Sequence, residues 1–209
     1  MTRVKVCGIT NLEDALAALE AGADMLGFNF YARSPRRVTP EGARRIVERL
    51  PEDAECVGVF VNESAPGEVL RIAREARLGA VQLHGDETPE FCRELRGLTT
   101  IKALRVGPDY DAETAAAFPT DAVLLDAYVA DEWGGTGHTF DWTLARRTCE
   151  AVPKLFLAGG LRPQNVARAV AMVRPFAVDV CSGVETSPGR KSPQLMRDFV
   201  ERVREAGEE

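Results

Sequence analysis

The chain has 209 residues, of which 45% are hydrophobic and 28% charged, with a formal net charge of −6 and an isoelectric point near 5.2. Such a chain can bury a sizeable core, and it lacks the basic surface that general nucleic-acid binding needs. A small anion is not excluded, because a local arginine cluster can hold one on an acidic protein. No apolar run approaches the roughly 20 residues that span a bilayer. The N-terminal "MTRVKVCGIT" passes straight into strand-like sequence without the apolar region of a signal peptide. The reading is a cytoplasmic protein with neither membrane nor nucleic acid among its partners.

In chain order, short β-branched runs alternate with amphipathic patterns. Strands are expected at Arg3–Val6, Met25–Phe28, Cys56–Phe60, Ala80–Leu83, Thr100–Leu104, Ala122–Leu125, Leu155–Leu157 and Ala177–Val180. Between them "NLEDALAALEAGA", "TPEGARRIVERL", "APGEVLRIAREARL", "TPEFCRELR" and "PQNVARAVAMV" place apolar residues at helical spacing. Thr10…Glu13, Thr39-Pro40-Glu41 and Thr88-Pro89-Glu90 read as helix starts. "AETAAAF" and "WTLARRTCEAV" are weaker helices, and "SPQLMRDFVERVREAGEE" closes the chain as a long one. Strict βα alternation implies a parallel sheet. Eight units in about 200 residues fit a small α/β (β/α)₈ TIM barrel, whereas five or six would fit an open doubly wound sheet. No linker divides the chain, so residues 1–209 are expected to form one domain.

Five cysteines (7, 56, 92, 149 and 181) form no C-x-x-C pair, so neither a disulfide framework nor a zinc site is indicated. With only His84 and His138, and no H-x-x-x-H spacing, a catalytic metal has no sequence support.

Active sites of this fold gather at the C-terminal ends of the strands. Cys7, Asn29, Asn62, His84, Arg105, Asp126, Gly159-Gly160 and Ser182-Gly183 all fall there. The turns at Gly159-Gly160 and Ser182-Gly183 follow strands seven and eight, where backbone N–H groups often hold a phosphate; singly, each also reads as an ordinary βα turn. Asp126 is either a loop cap or a carboxyl group beneath the long glycine-containing loop that follows. Arg36, between Arg33 and Arg37, is either part of a solvated basic loop or the planar donor for a substrate carboxylate. A lone cysteine is usually a small buried hydrophobe, and Cys56, Cys92 and Cys149 fit that view. Cys7 differs, because a thiol facing a carboxyl group across a phosphate pocket makes an acid–base pair.

These stretches, "VKVCGIT", "GFNFYARSPRRVTPE", "VGVFVN", "VQLHGDE", "LLDA", "GGTGHTFDW", "LAGGLRPQNV" and "VDVCSGVETSPGRK", resemble the motif series of the phosphoribosylanthranilate isomerase family, in order and across nearly the whole chain. The resemblance implies an Amadori rearrangement in tryptophan biosynthesis. N-(5-phosphoribosyl)anthranilate becomes 1-(2-carboxyphenylamino)-1-deoxyribulose 5-phosphate, with no cofactor or metal. It implies Cys7 as general base, Asp126 as general acid, Arg36 as the carboxylate ligand, and Gly159, Gly160, Ser182 and Gly183 as phosphate loops. The expected partner is thus a small phosphorylated substrate, and the chain is a monomer or homodimer. Position 181 departs from the pattern: many relatives have serine where this chain has cysteine. Two rivals remain. A histidine-pathway sugar isomerase would use two aspartates and does not match Cys7, while a non-catalytic sugar-phosphate barrel would have no need of Cys7 and Asp126.

Overall fold

In the computed structural model, which describes residues 1–107, 110–127 and 141–207, eight parallel strands close into a barrel in sequence order. They are β1 (Arg3–Cys7), β2 (Met25–Asn29), β3 (Glu55–Phe60), β4 (Ala80–Leu83), β5 (Thr99–Val106), β6 (Ala122–Ala127), β7 (Leu155–Leu157) and β8 (Ala177–Val180). Closure comes from β1 pairing with β8, with Lys5 opposite Asp179 and Val6 opposite Val180. Outside lie α1 (Leu12–Glu20), α2 (Pro40–Val47), α3 (Pro66–Glu75), α4 (Pro89–Arg93), α5 (Ala112–Ala115), α6 (Trp142–Ala151), α7 (Val166–Val173) and α8 (Pro193–Ala206). The (β/α)₈ expectation is met.

Successive side chains of a strand point to opposite faces, so the strand sequences sort themselves into two cores. In β2, Met25 packs inside the barrel with Ile101, Leu124 and Phe156, while Leu26 and Phe28 join the layer beneath the helices. Leu26 and Phe28 are wholly buried, and each such side chain contributes about 1.5–3 kcal/mol at most. The same alternation sends Val4, Val6, Val178 and Val180 outward. Lys5, Cys7, Asp179 and Cys181 therefore face inward.

Several boundaries differ from the sequence reading. β1 runs through Cys7 and β6 through Asp126, so both residues are held by strand pairing rather than by the turns beyond. Thr39 and Thr88 cap α2 and α4 as expected, accepting from the Gly42 and Phe91 N–H groups. In α1 the cap is Asn11 rather than Thr10, and its side chain accepts from the Asp14 N–H at 2.8 Å. Pro163 lies before α7, which starts only at Val166. A short antiparallel hairpin, β9 (Glu185–Ser187) with β10 (Arg190–Lys191), stands where a simple turn was expected.

Candidate active site

The C-terminal end of the barrel opens on a cavity of about 410 Å³ whose wall includes Cys7, Arg36, His84, Asp126, Gly159, Gly160, Cys181 and Ser182. Six of the seven expected site residues thus share one wall. Gly183 stands just behind it, packed so closely on the Leu161 carbonyl that any side chain there would collide with backbone. Around the rim the order is Asp126 on β6, the glycine turn after β7, Ser182 after β8, Cys7 on β1 and Arg36 after β2.

Gly159 and Gly160 adopt φ of 84° and 61°, left-handed backbone that a side chain would strain. Their turn is tied by Asn165, whose amide donates to the Gly160 carbonyl at 3.0 Å and accepts from the Arg162 N–H at 2.9 Å. Among the described residues, the N–H groups of Gly160, Ser182 and Gly183 donate to no protein acceptor. They remain available to an anion.

The β1–β8 side of the site is charged and tightly paired. Lys5 is fully buried, and its ammonium donates to Asp179 Oδ1 at 2.8 Å. Burial alone would disfavour that charge, but Asp179 and Cys7 outweigh it and push the Lys5 pKa up. Cys7 stands next to this pair and beside the Cys181 thiol. The interaction with Cys181, reinforced by burial, pushes the Cys7 pKa well up against the pull of Lys5. Cys181 moves the other way, down to about 7: its interaction with Cys7 leads, and Lys191 and Arg36 help against the opposing effect of burial. The Lys191 ammonium sits 3.8 Å from Cys181 Sγ and donates to the Cys181 carbonyl at 3.1 Å. The two thiols are thus pushed in opposite directions, with Lys191 and Arg36 favouring charge on Cys181 rather than Cys7.

Arg36 is only 12% exposed and is already forked onto a protein carboxylate. Its Nε donates to Glu185 Oε1 at 2.8 Å and its Nη2 to Oε2 at 2.7 Å. Lys191 donates to the same carboxylate at 2.9 Å. That double hydrogen bond pushes the Arg36 pKa up. Burial opposes ionisation of Glu185, but Arg36 and Lys191 prevail and hold it below the ordinary carboxylate range. Only the Nη1–Nη2 edge of the guanidinium is left for a ligand. Arg33 also lines the cavity, but Arg37 does not.

The β4–β6 side is sparse. Asp126 is 6% exposed; its Oδ1 accepts from the Ala127 N–H at 2.8 Å. Its Oδ2 lies 3.2 Å from His84 Nε2, yet that ring nitrogen makes no aligned hydrogen bond among the described residues. His84 Nδ1 is 2.8 Å from the Gln82 amide, whose Oε1 is also unpartnered. The loop expected to cover Asp126, with "GGTGHTF" and His138, lies at 128–140, outside the described residues.

Sequence reasoning passed over Lys5, Gln82, Asp179, Glu185 and Lys191. Three of these carried a signal: a polar residue between apolar neighbours in V-K-V, V-Q-L and V-D-V points into the barrel. Glu185 and Lys191, on a short polar hairpin, carried none.

The family described as N-(5'phosphoribosyl)anthranilate (PRA) isomerase matches residues 4–202. An N-(5'-phosphoribosyl)anthranilate isomerase of Trichlorobacter lovleyi is 50% identical over 206 residues, covering 99% of this chain and all of the relative. The solved phosphoribosyl anthranilate isomerase of Thermotoga maritima superposes with a TM-score of 0.91 at 46% identity, covering 98% of this chain and 100% of that one. A solved phosphoribosyl anthranilate isomerase in complex with reduced 1-(o-carboxyphenylamino)-1-deoxyribulose 5-phosphate reaches 0.88 at 45% identity, with the same coverage. A sequence alike from end to end, on a barrel of the same architecture, places this chain in the N-(5'-phosphoribosyl)anthranilate isomerase family of enzymes.

Proposed function

We propose that the chain rearranges N-(5'-phosphoribosyl)anthranilate to 1-(2-carboxyphenylamino)-1-deoxyribulose 5-phosphate in tryptophan biosynthesis, with Cys7 as general base and Asp126 as general acid. The observation that carries this reading is the pairing of Cys7 and Asp126 on one cavity wall, with the open glycine turns between them on one side and Arg36 on the other. A ligand with a phosphate and a carboxylate at its two ends suits that spacing of donors. The reaction moves hydrogen within one molecule and requires no external oxidant or reductant.

Asp126 gives its proton to the ring oxygen as the C1–O bond breaks, and the anilino nitrogen supplies the electron pair that forms the C1–N iminium. Cys7 as thiolate removes the proton from C2, and the enolamine tautomerises to the ketone. The thiol pair bears on this step. With one proton lost, the resting charge lies on Cys181 and the proton on Cys7. The iminium beside Cys7 draws the negative charge back, so the base is armed as its proton moves to Cys181. The phosphate sits on the Gly160, Ser182 and Gly183 N–H groups, and the anthranilate carboxylate on the free edge of Arg36.

The test follows the loss of anthranilate-type fluorescence from the substrate on protein purified without added metal. Wild type should turn over, and Cys7→Ala should lose about 10²–10⁴-fold in kcat while staying folded. Retention of more than about a tenth of wild-type kcat, far above the usual loss of a general base, removes Cys7 from that role.

A further inference from the structure

We propose that Cys7 and Cys181 form a modification site for hydroperoxides, which convert the two thiols into a disulfide across the β1–β8 seam. The geometry comes from the barrel closure. Arg3, Val4, Lys5 and Val6 pair in register with Ala177, Val178, Asp179 and Val180, and Cys7 and Cys181 are the next residues on either side. Neighbouring strands lie about 4.8 Å apart, within the roughly 4.4–6.8 Å between α-carbons that a disulfide accepts. By the pleat both side chains face the barrel interior, and both line the cavity, where a small oxidant can reach them. The positive φ of Gly8, 78°, turns the chain immediately after Cys7. The Cys181 sulfur fills the space beside it, 3.0 Å from where a Cβ on Gly8 would stand. Apart from Cys181, the sulfurs of Cys56, Cys92 and Cys149 lie on other elements, away from this wall.

The chemistry needs one reactive thiolate and one partner close enough to resolve it. Cys181 supplies the first. It sits by the Lys191 ammonium and the Arg36 guanidinium, and its pKa is held down to about 7. Its thiolate attacks one oxygen of the peroxide; the O–O bond breaks, hydroxide leaves, and Cys181 becomes a sulfenic acid. Cys7 gives its proton to that hydroxide, making water, and attacks the Cys181 sulfur. The S–S bond forms as the S–O bond breaks, and the second oxygen leaves as hydroxide, which takes back from solvent the proton that Cys181 released on ionising and becomes the second water. Two thiols lose two electrons and two protons, and one hydroperoxide is reduced.

The bond does not depend on what Cys7 does in catalysis, whereas the loss of turnover that follows from it rests on Cys7 being the base. The experiment separates the two. Reduced protein is treated with stoichiometric hydrogen peroxide, quenched with N-ethylmaleimide and mapped by mass spectrometry, and turnover is followed in parallel. The expected result is a peptide carrying Cys7 joined to one carrying Cys181, with turnover falling in proportion and returning on addition of dithiothreitol. Cys181→Ser, measured against its own starting activity, should be inactivated at least about tenfold more slowly, because the initiating thiolate is gone. Cys149→Ser, remote from the cavity, should form the cross-link at the wild-type rate. Oxidation that maps to Cys149 or to Cys7 alone, or a Cys181→Ser protein inactivated as fast as wild type, overturns the proposal. A cross-link formed with turnover retained would uphold the modification site and remove Cys7 as base.

Discussion

The two halves of the cavity are built on opposite principles. On the β8–β1–β2 side the charged groups around Cys7 are paired, Lys5 with Asp179 and Arg36 and Lys191 with Glu185, and the two thiols interact with each other. On the β4–β6 side Asp126 has a single aligned donor, its neighbour's N–H, and the nearby His84 Nε2 and Gln82 Oε1 stay unmatched among the described residues. The paired side fixes where charge resides. Among the described residues, the sparse side leaves Asp126 Oδ2 3.2 Å from His84 Nε2 without an aligned hydrogen bond. Under the proposed roles, a base that must hold charge and an acid that must exchange a proton would call for that difference.

The largest expected effect tests the sparse side. Asp126→Asn keeps the shape and the Ala127 contact but cannot donate a proton, so kcat should fall by about 10²–10⁴-fold with product affinity largely kept. Steady-state turnover with product binding by fluorescence measures both. Near-wild-type turnover returns Asp126 to the role of a strand-end cap.

A second variant disturbs the paired side from below. Lys5→Met leaves the Asp179 carboxylate buried without its cation and should cost about 3–5 kcal/mol of unfolding free energy, read from denaturant titration. Lys5→Met combined with Asp179→Leu should recover most of that loss, because no uncompensated charge remains. In Lys5→Met the cation that favours the Cys7 thiolate is also gone, so the thiol keeps its proton to higher pH. Activity that requires the thiolate rises with pH, and its rising limb should therefore move to higher pH. A limb that stays in place, or moves down, breaks the link between Lys5 and the base.

The smallest effect concerns Arg36. Lysine keeps a charge near Glu185 but loses the second edge of the guanidinium, so KM should rise by about tenfold with kcat little changed. An unchanged KM assigns the carboxylate to Arg33, the other arginine on the cavity wall.

Much of this was legible in the residues because it is local. Two-residue alternation and helical periodicity give the eight βα units, and T-P-E starts give α2 and α4 their caps. Motif order along the chain puts Cys7, Arg36, Asp126 and the glycine turns on one rim. Where the reading slipped, a competing local interaction won. Asn11 offers a better-placed acceptor than Thr10, and strand pairing carries β1 and β6 further than their apolar runs suggest. The 185–191 hairpin is short and mostly polar, so its sequence carries no two-residue pattern.

By itself, then, the sequence determined the barrel and which residues reach its mouth, because periodicity and strand-end position act over a few residues. The tertiary structure alone decided how those residues are charged and tied. Lys5 meets Asp179 across 174 residues of chain, and Arg36 meets Glu185 across 149. Cys181 becomes the partner of Cys7 only where β8 closes on β1. Electrostatic interactions act through space, and in a closed barrel the nearest groups in space come from opposite ends of the chain.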